Sequence, residues 1–347
     1  MKILSVLIMA LLFTVPVLRA QSISMSYVTV GNPGNAGDPA TASASGTFGS
    51  VSYTYDIGEY DVTDSQYCTF LNDVDPTGAN TLALYSPQGD AEFGITFTSG
   101  AAGGSKYSVI PGYANMPVVD VSFWDTLRFV NWMNNGEGNA STETGAYTLL
   151  GGNTDGYGTP SNAASFYANP QHNAGATVWL PNENEWYKAA YYNPANGTYS
   201  TYATQSDTTP GNVIGNGANE ANTLYYNGSQ YLYSVTQSSN YNSSQNYLTA
   251  VGSYTGSKSY YGTYDQSGDV YNWTSTSTVV SSGSFVLRGG YWGGAESVAS
   301  NNRSSTYPAA DSGGTGFRVA AVPEPSTWVL IGAGVGALLA FRRRRRS

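Results

Sequence analysis

Apolar residues recur at helical spacing in the segment that follows residue 63. Thr63 is a suitable N-cap, and Gln66 stands three residues later, which is the arrangement of a capping box. The apolar positions that follow fall on one helical face, at Tyr67, Phe70, Leu71 and Val74. The pattern therefore predicts an amphipathic helix that begins after Thr63 and packs one side on the core.

Two further segments carry the same kind of start signal. Ser122 precedes a run in which Asp125 is the third helical residue, and Asn182 precedes Glu185 at the same spacing. The inner face of the helix after Ser122 is predicted to hold Trp124, Leu127, Val130, Asn131 and Met133. Together these patterns predict three short, capped helices separated by long irregular segments.

Strand patterns are few and short. Residues 26–30 have a strand-like composition, and residues 51–57 alternate with period two, which is typical of a strand. Much of the remaining chain is rich in Gly, Tyr, Asn and Ser, which favours turns and irregular loops. No internal repeat or linker is evident in residues 21–321. We therefore expect one irregular α+β domain with small antiparallel sheets, a few short helices and little regular secondary structure.

The N-terminus has the pattern of a secretory signal peptide. Lys2 supplies a positive charge, residues 3–15 are nearly all apolar, and Pro16 ends that run. Ala20 provides a small residue at the expected cleavage position, although Arg19 makes the site imperfect. The interpretation is a signal peptide over residues 1–20 and an exported body over residues 21–321.

The C-terminal segment, residues 322–347, has three parts in a fixed order. Pro323, Glu324 and Pro325 come first, an apolar run occupies residues 327–341, and five arginines follow. The run has 15 residues, whereas a comfortable spanning helix needs about 20. The arginines would hold their own end on the cytoplasmic side of a membrane.

This order resembles the PEP-CTERM sorting signal of Gram-negative bacteria. The resemblance implies that an exosortase recognises and processes the segment after it has held the protein transiently at the inner membrane. The protein would then reach the cell surface or the extracellular matrix. The alternative is a plain C-terminal anchor that is never cleaved. In either case the segment is an address and is not part of the fold.

The predicted exported body is strongly acidic. It holds seven basic and 22 acidic residues, a formal charge of −15 against −9 for the whole chain. Such a surface repels nucleic acid and anionic lipid, so neither is expected as a partner. The same charge would tolerate or attract divalent cations.

Cysteine and histidine are each present once. Cys68 lies at an apolar position of the first predicted helix, which favours a buried and inert thiol. His172 lies in a loop segment, where a solvent-exposed side chain is expected. A single imidazole and a single thiol cannot build a histidine-rich or cysteine-rich metal site.

Tyrosine and glycine are unusually frequent, at 29 and 41 residues. Residues 225–264 interleave Tyr, Asn, Ser and Gly over a long stretch. Tyrosine combines an apolar ring with a hydroxyl that needs a partner. The stretch is therefore open to two interpretations, a sugar-binding surface or packed extracellular loops.

Five motifs, in this order, resemble those of the formylglycine-generating enzyme (sulfatase-modifying factor) family. They are YDVTD at residues 60–64, PVVDVSFWDTLRFVNW at 117–132, WLPNENEW at 179–186, GDVYNW at 268–273, and RGG at 288–290 with GFRVA at 316–320. Each motif is weak alone, but their shared order over residues 58–321 is specific. The resemblance implies a C-type-lectin-like α+β domain with little regular secondary structure.

The family's oxidative chemistry is not expected here. Family enzymes bind copper through two cysteines that follow the glycine pair, and those positions fall on Gly294 and Ala299. Copper(I) needs soft ligands such as thiolates, and neither position supplies one. The resemblance therefore implies the fold without copper and without the family's catalysis.

The resemblance also implies a calcium site at the 268–273 motif. Its positions correspond to Asp265, Gly268, Val270 and Asn272, with main-chain oxygens from Gly268 and Val270. The amide and the carboxylate are exchanged relative to the family, but both are hard oxygen ligands that suit Ca²⁺. The alternative is that these residues only form a turn.

A second calcium site of the family is matched less fully. It corresponds to Asn222 and a nearby main-chain oxygen, with the carboxylate of Asp61 where the family has Glu. Its downstream acidic ligand has no clear counterpart after residue 226. The alternative is again a structural role for these polar residues.

Two other polar groups invite a functional interpretation that we consider weaker. Arg288, Arg303 and Arg318 resemble an anion-binding trio, but in a body this poor in basic residues we expect buried pairs that hold loops together. Glu183 and Glu185 resemble an acid–base pair, but residues two apart on a helix do not face each other.

Three functions remain after these exclusions. The first is an exported, surface-sorted structural or binding module without catalysis, stabilised by calcium, with an envelope protein or extracellular polysaccharide as partner. The second is a dedicated polysaccharide-binding module that uses exposed Tyr and Trp. The third is an enzyme whose reaction the family does not indicate.

Overall fold

The computed structural model describes residues 22–43, 46–152, 155–168, 170–278, 283–295 and 297–323. The predicted signal peptide, Glu324, Pro325 and the apolar run at 327–341 lie outside these ranges. Four helices lie within them: α1 (Asp64–Val74), α2 (Phe123–Asn134), α3 (Ala163–Ala168) and α4 (Glu183–Tyr191). None of these helices is long and apolar enough to cross a membrane.

Sixteen short strands accompany the helices in the described ranges. They are β1 (Tyr27–Val30), β2 (Asp38–Ser43), β3 (Gly46–Phe48), β4 (Tyr55–Gly58), β5 (Ile95–Phe97), β6 (Tyr107–Val109), β7 (Val178–Trp179), β8 (Tyr192–Asn193), β9 (Thr198–Tyr199), β10 (Tyr225–Tyr226), β11 (Tyr231–Leu232), β12 (Tyr271–Ser277), β13 (Phe285–Arg288), β14 (Ser304–Thr306), β15 (Thr315–Gly316) and β16 (Ala320–Ala321). The fold is α+β with low regular content, as predicted.

Three helices begin where the capping signals predicted. In α1 the Thr63 hydroxyl accepts from the Gln66 N–H at 3.4 Å, and Gln66 Oε1 accepts from the Thr63 N–H at 2.8 Å. The same reciprocal box joins Ser122 with Asp125 at α2, and Asn182 with Glu185 at α4. Each box satisfies backbone donors that a helix start leaves unpaired.

The first sheet joins strands that are far apart in sequence. Its order is β1-β4-β16-β7, and all of its pairs are antiparallel. The strand predicted over residues 51–57 is wrong in its first half, because the structure has only β4 there. Val51 is held instead by Asn35 Oδ1, which accepts from its N–H, and by the Gly34 N–H, which donates to its carbonyl.

The second sheet contributes strands to the candidate functional site. Its order is β14-β13-β12-β15. Its β12–β13 and β13–β14 pairs are antiparallel, whereas the β12–β15 pair is parallel, with Tyr271 opposite Thr315. Four separate hairpins, β2–β3, β5–β6, β8–β9 and β10–β11, complete the strands.

Aromatic side chains fill the core between α1, α2 and the sheets. Phe129 of α2 contacts Phe70 of α1 edge-on at 5.4 Å between ring centroids, and it meets Phe317 at 5.2 Å. Phe123 stacks on Phe285 of β13 at 3.7 Å. These contacts fix α2 against the second sheet, and so they fix the loops that leave β12 and β13.

Cys68 and His172, each the only residue of its type in the sequence, differ in how they compare with the prediction. Cys68 is buried on α1, as predicted, and burial raises the pKa of its thiol to about 11. The prediction of an exposed His172 needs correction. Its ring is half-buried because it stacks on the indole of Trp179 at 4.7 Å.

Candidate functional site

A tight turn leads into β12 and places the predicted calcium ligands. Asp265 and Asp269 both have φ of 60°, and Gly268 has φ of 100°. A Cβ atom at residue 268 would lie 2.2 Å from the carbonyl oxygen of Asn222, so only glycine fits against that backbone. The close approach places Asn222, which belongs to the second predicted calcium site, beside the turn that carries Asp265 and Gly268 of the first.

Asn272, on β12, is the centre of a buried polar network. Its Nδ2 donates to Asp61 Oδ1 at 2.7 Å. Its Oδ1 accepts from Trp186 Nε1 and from Arg318 Nε, both at 2.8 Å. Arg318 Nη2 also contacts Asp61 Oδ2 at 3.1 Å. The side-chain oxygens of Asn272 and Asp61 are thus engaged by protein donors, and the guanidinium already supplies a cation.

Asn222 and Asp269 form the neighbouring part of the network. Asn222 Nδ2 donates to Asp269 Oδ1 at 2.8 Å, while Asn222 Oδ1 is buried without a hydrogen-bond partner among the described residues. Thr249 donates to Asp269 through both its N–H and its hydroxyl. Burial raises the pKa of Asp269 well above its usual range, and the nearby Asp265 adds to that effect.

Asp265 is half-buried beside this pair. Its Oδ2 accepts from the Gly252 N–H at 2.7 Å. Burial, together with the charge of Asp61, raises the pKa of Asp265 to about 7. The residues therefore fit a calcium ion only in part: Asn222 Oδ1 lacks a protein partner, but Asp61 and Asn272 are already hydrogen-bonded. Within the described chain, no three Asp, Glu, His or Cys side chains are grouped so as to hold a metal ion.

The two positions that carry cysteine in family enzymes lie just beyond β13. Gly294 closes a turn, with its N–H donating to the Tyr291 carbonyl at 3.0 Å, and its own carbonyl accepts from the Thr223 hydroxyl. A Cβ atom at residue 294 would lie 2.1 Å from Ser297 Oγ. The Ala299 carbonyl accepts from the Asn302 N–H. A side chain at residue 294 would therefore require Ser297 to move.

The three arginines form ion pairs with two carboxylates, as predicted, and only Arg303 is partly exposed. Glu183 binds Arg288 Nη2 at 2.6 Å and Arg303 Nε at 2.8 Å. Arg318 pairs with Asp61. Glu185 caps α4 and also accepts from the Tyr53 hydroxyl at 2.6 Å. These groups hold loops together and leave no free anion site at the trio.

An open groove of about 300 Å³ lies beside the turn at residues 291–294. We call it the aromatic groove. Its lining consists of Asp90, Glu92, Tyr241, Tyr271, Tyr291, Trp292 and residues 312–315. Tyr271 begins β12, residues 291–292 follow β13, and Thr315 begins β15. The second sheet therefore supplies one wall, and loops from two distant parts of the chain supply the rest.

Stacked rings form one side of the aromatic groove. The rings of Tyr241 and Trp292 lie at 5° to each other with centroids 6.2 Å apart, and Tyr247 lies at 14° to Trp292 at 4.9 Å. Trp292 is fixed because its backbone N–H donates to the Asp269 carbonyl at 2.9 Å and its indole N–H donates to Gly313 at 3.3 Å. Tyr241 is 57% exposed, so the stack ends on a ring that solvent reaches.

Carboxylates make part of the groove lining acidic. Asp90 is exposed, whereas Glu92 is only 3% exposed and accepts from the Tyr247 N–H at 3.2 Å. Burial raises the pKa of Glu92. The acidic part of the lining is thus tied directly to the ring cluster through the backbone of Tyr247.

A second layer of carboxylates lies behind the groove wall. Asp120, at 1% exposure, donates its N–H to the Ser312 carbonyl, but its two carboxyl oxygens have no hydrogen-bond partner in the described chain. Burial, with the charge of Asp90, raises the pKa of Asp120 to about 7, and the nearby Gln88 backbone offsets this only in part. Asp64 has the same character: burial and then Asp120 raise its pKa well above the usual range.

Sequence patterns did not locate this groove. The tyrosine-rich stretch that includes Tyr241 was the one signal for a sugar-binding surface, and it holds a single lining residue. Asp90, Glu92 and Trp292 carried no motif of their own. A distinctive aromatic pair follows the glycine pair at residues 291–292, but only the fold shows that it meets residue 241.

The comparisons with known proteins agree with the fold. Residues 35–322 match the family model described as the sulfatase-modifying factor enzyme 1-like domain, and residues 321–346 match the PEP-CTERM protein-sorting motif. No curated protein gives a significant match.

Solved structures that resemble this chain share little sequence with it. CarF is 18% identical, with a TM-score of 0.53, over 87% of this chain and 99% of its own. Treponema denticola variable protein 1 is 18% identical, with a TM-score of 0.49, over 88% and 98%. PvdO from Pseudomonas aeruginosa is 16% identical, with a TM-score of 0.42, over 86% and 92%. The similarity to CarF, at 18% identity, indicates the fold alone.

Proposed function

The chain belongs to the sulfatase-modifying factor enzyme 1-like domain family, and we propose that in this member the domain is a non-catalytic module that binds polysaccharide outside the cell. The match confirms the family resemblance inferred from the five motifs. The PEP-CTERM match confirms the sorting signal, so the protein is exported, held transiently at the membrane by its C-terminal segment and recognised by exosortase machinery.

Loss of the family's chemistry supports a binding role. Gly294 and Ala299 stand where family enzymes carry cysteines, and the one thiol of the chain, Cys68, is buried on α1. Burial also raises the pKa of that thiol to about 11, so little thiolate is present near neutral pH. Copper-dependent oxidation is therefore not part of the proposal.

The aromatic groove is the observation that carries the proposal. A sugar ring has apolar C–H faces, which bury apolar area when they pack on the flat rings of Tyr241 and Trp292. Its hydroxyls need acceptors, and the carboxylates of Asp90 and Glu92 are part of the same lining. The groove has a volume of about 300 Å³, and we propose that it holds units of a longer polymer.

A retention experiment tests this proposal. The exported protein is run through gels that contain individual polysaccharides, and its mobility is compared with that of Trp292→Ala and Tyr241→Ala. We expect at least one polysaccharide to retard the wild type, and each substitution to weaken the affinity roughly tenfold or more. Tyr157→Ala removes a ring that is 56% exposed and does not line the groove, so it should bind like the wild type.

Two outcomes would contradict the proposal. One is the absence of retardation by any neutral, acidic or amino polysaccharide. The other is retardation that both groove variants preserve. Circular dichroism of the variants separates a lost site from a lost fold.

A divergent enzyme is the second candidate, and one observation favours it. Glu92 has a raised pKa and shares the aromatic groove with a second carboxylate, Asp90, which is the pairing that glycoside hydrolysis uses. Release of reducing ends from a bound oligosaccharide, abolished in Glu92→Gln while binding persists, would establish this activity. Binding without any release supports the non-catalytic module.

Calcium enters the proposal as a stabilising ion. Asn222 Oδ1 is a buried oxygen without a hydrogen-bond partner in the part of the chain that the structure describes, and Asp265 lies at the turn whose backbone contacts Asn222. We propose that calcium binds at this end of the network rather than at Asn272. Thermal unfolding with calcium should occur at a higher temperature than with a chelator, and Asn222→Ala should remove the difference. Identical unfolding in both conditions would contradict calcium binding.

A further inference from the structure

The aromatic groove has an acidic lining among the residues that the structure describes. Asp90 and Glu92 line it, and none of its lining residues is Lys or Arg. The four arginines of the exported body are in ion pairs elsewhere: Arg128 with Glu143, Arg288 and Arg303 with Glu183, and Arg318 with Asp61. A ligand that enters the groove therefore meets an acidic surface.

The charge extends behind the wall. Asp120 is bonded through its backbone to Ser312, a lining residue, and its buried carboxyl group has no partner in the described chain. Asp311 lies next to Ser312 in the chain and is hydrogen-bonded to Ser86 and Gln88, neither of which carries charge. A positive group in the groove would be attracted by Asp90 and Glu92, which line it, and by Asp311 next to the wall. Asp120 adds to the attraction only when the pH exceeds the raised pKa of its buried carboxyl group.

The rings add a second preference for positive charge. The face of a tryptophan or tyrosine ring attracts a cation within about 6 Å of its centroid. Trp292 and Tyr241 lie nearly parallel at 5°, and Tyr241 is largely exposed. Flat, parallel rings also favour a ligand made of rigid rings over a flexible chain.

We propose, on the basis of the polysaccharide-binding function above, that the aromatic groove selects sugar polymers that carry free amino groups. The ring of each unit packs on Trp292 and Tyr241, and its ammonium group pairs with Asp90 and Glu92. Acetylation of the amine removes the charge and the preference. Polymers that carry carboxylate, sulfate or phosphate are repelled by the same residues.

Calorimetric titration of the exported protein tests the proposal with two matched ligands. Glucosamine oligomers and N-acetylglucosamine oligomers of equal length have the same rings and linkages and differ in the charged amine. At a pH where the amine is protonated, we expect the glucosamine oligomer to bind about tenfold more tightly or better. Added salt should reduce that advantage, since it screens charge.

Substitutions then assign the preference to the groove. Asp90→Asn, which alters an exposed side chain, and Glu92→Gln should each shrink the preference severalfold, because the ammonium group loses an anionic partner. Affinity for the N-acetylated oligomer should fall less than affinity for the glucosamine oligomer, since an amide oxygen still accepts from sugar hydroxyls. Asp207→Asn changes an exposed carboxylate that does not line the groove, and it should have no effect. Trp292→Ala should weaken both oligomers alike, because it removes the packing surface.

Four other outcomes would refute the proposed preference for free amino groups, and each would point to a different reason. Equal affinity for the two oligomers would refute amine selection and leave polysaccharide binding intact. A preference that survives Asp90→Asn and Glu92→Gln would show general attraction to the acidic surface. Tighter binding of oligolysine of equal charge would identify a cationic peptide instead. If neither oligomer nor any other polysaccharide binds, both the inference and the proposed function fail.

Discussion

Individual carboxyl groups show what the sequence predicts about residues and what it misses. The spacing of Glu185 from Asn182 predicted a capping box, and the structure confirms it. The prediction succeeded because a capping box lies within four consecutive residues. Asp120 gave no such signal. Its burial arises from contacts with Ser312 and the segment around Asp90, both distant in sequence. Patterns within a short stretch of sequence therefore cannot predict the burial of Asp120.

Asp120 should make the protein less stable as pH rises. Burial raises the pKa of its carboxyl group from 3.8 in the unfolded chain to about 7 in the folded protein. The folded state therefore binds more protons between these values, and its stability falls as pH increases through 7. Asp120→Asn should raise the unfolding free energy at pH 8 by about 2 kcal/mol and change it little at pH 4.

Urea unfolding at pH 4, 6 and 8 measures this effect. Asp207→Asn is the control, since that carboxylate is exposed and accepts from Thr201. Part of the pH dependence should persist in Asp120→Asn, because burial raises the pKa of Asp64 and Asp265 in the same direction. An Asn variant that is no more stable than the wild type at pH 8 would refute the account of Asp120.

Helices and strands were predictable where the sequence pattern that indicates them lies within a few neighbouring residues. The starts of α1, α2 and α4 follow from Thr63, Ser122 and Asn182, each with a partner three residues on. The strand expected over residues 51–57 was shortened because Asn35 and Gly34 take the backbone groups of Val51. The parallel pairing of β12 with β15 joins residues that lie about forty positions apart, and no periodicity along the chain encodes it.

The cap of α2 should contribute measurably to stability. The Ser122 hydroxyl accepts from the Asp125 N–H at 3.3 Å and donates to Asp125 Oδ2 at 2.7 Å, in a buried position. Ser122→Ala should cost about 1 kcal/mol of unfolding free energy, since a helix donor loses its partner. Ser229→Ala is the control at an exposed serine. Equal urea midpoints for the two variants would contradict a stabilising cap.

At the scale of the whole molecule, delivery was easier to predict than binding. The sorting motif is a contiguous segment, so its order of parts was visible in the sequence and is matched at residues 321–346. The aromatic groove is assembled from residues 90–92, 241, 271, 291–292 and 312–315. Only the packing of these segments against the second sheet creates it. Composition hinted at tyrosine-mediated binding but could not indicate where.

Processing of the C-terminal segment has a simple mass signature. If exosortase removes it, the exported protein should lack the five terminal arginines, and its formal charge should approach −15 rather than the −11 of a chain that has lost only residues 1–20. Intact mass spectrometry of protein from the culture medium and from the membrane fraction measures this. Glu324→Ala should retain the segment and leave the protein in the membrane fraction. Exported protein with an intact C-terminus would instead indicate an uncleaved anchor.

Hydrogen–deuterium exchange of the exported protein tests the binding site most directly. The protein is compared alone, with saturating glucosamine oligomer, and with saturating N-acetylglucosamine oligomer. Our account predicts slower exchange in peptides that cover residues 241–247 and 289–294 with at least one of the two ligands, and none of this protection in Trp292→Ala. Protection confined to other parts of the chain, or unchanged exchange with both ligands, would contradict a sugar-binding groove at this position.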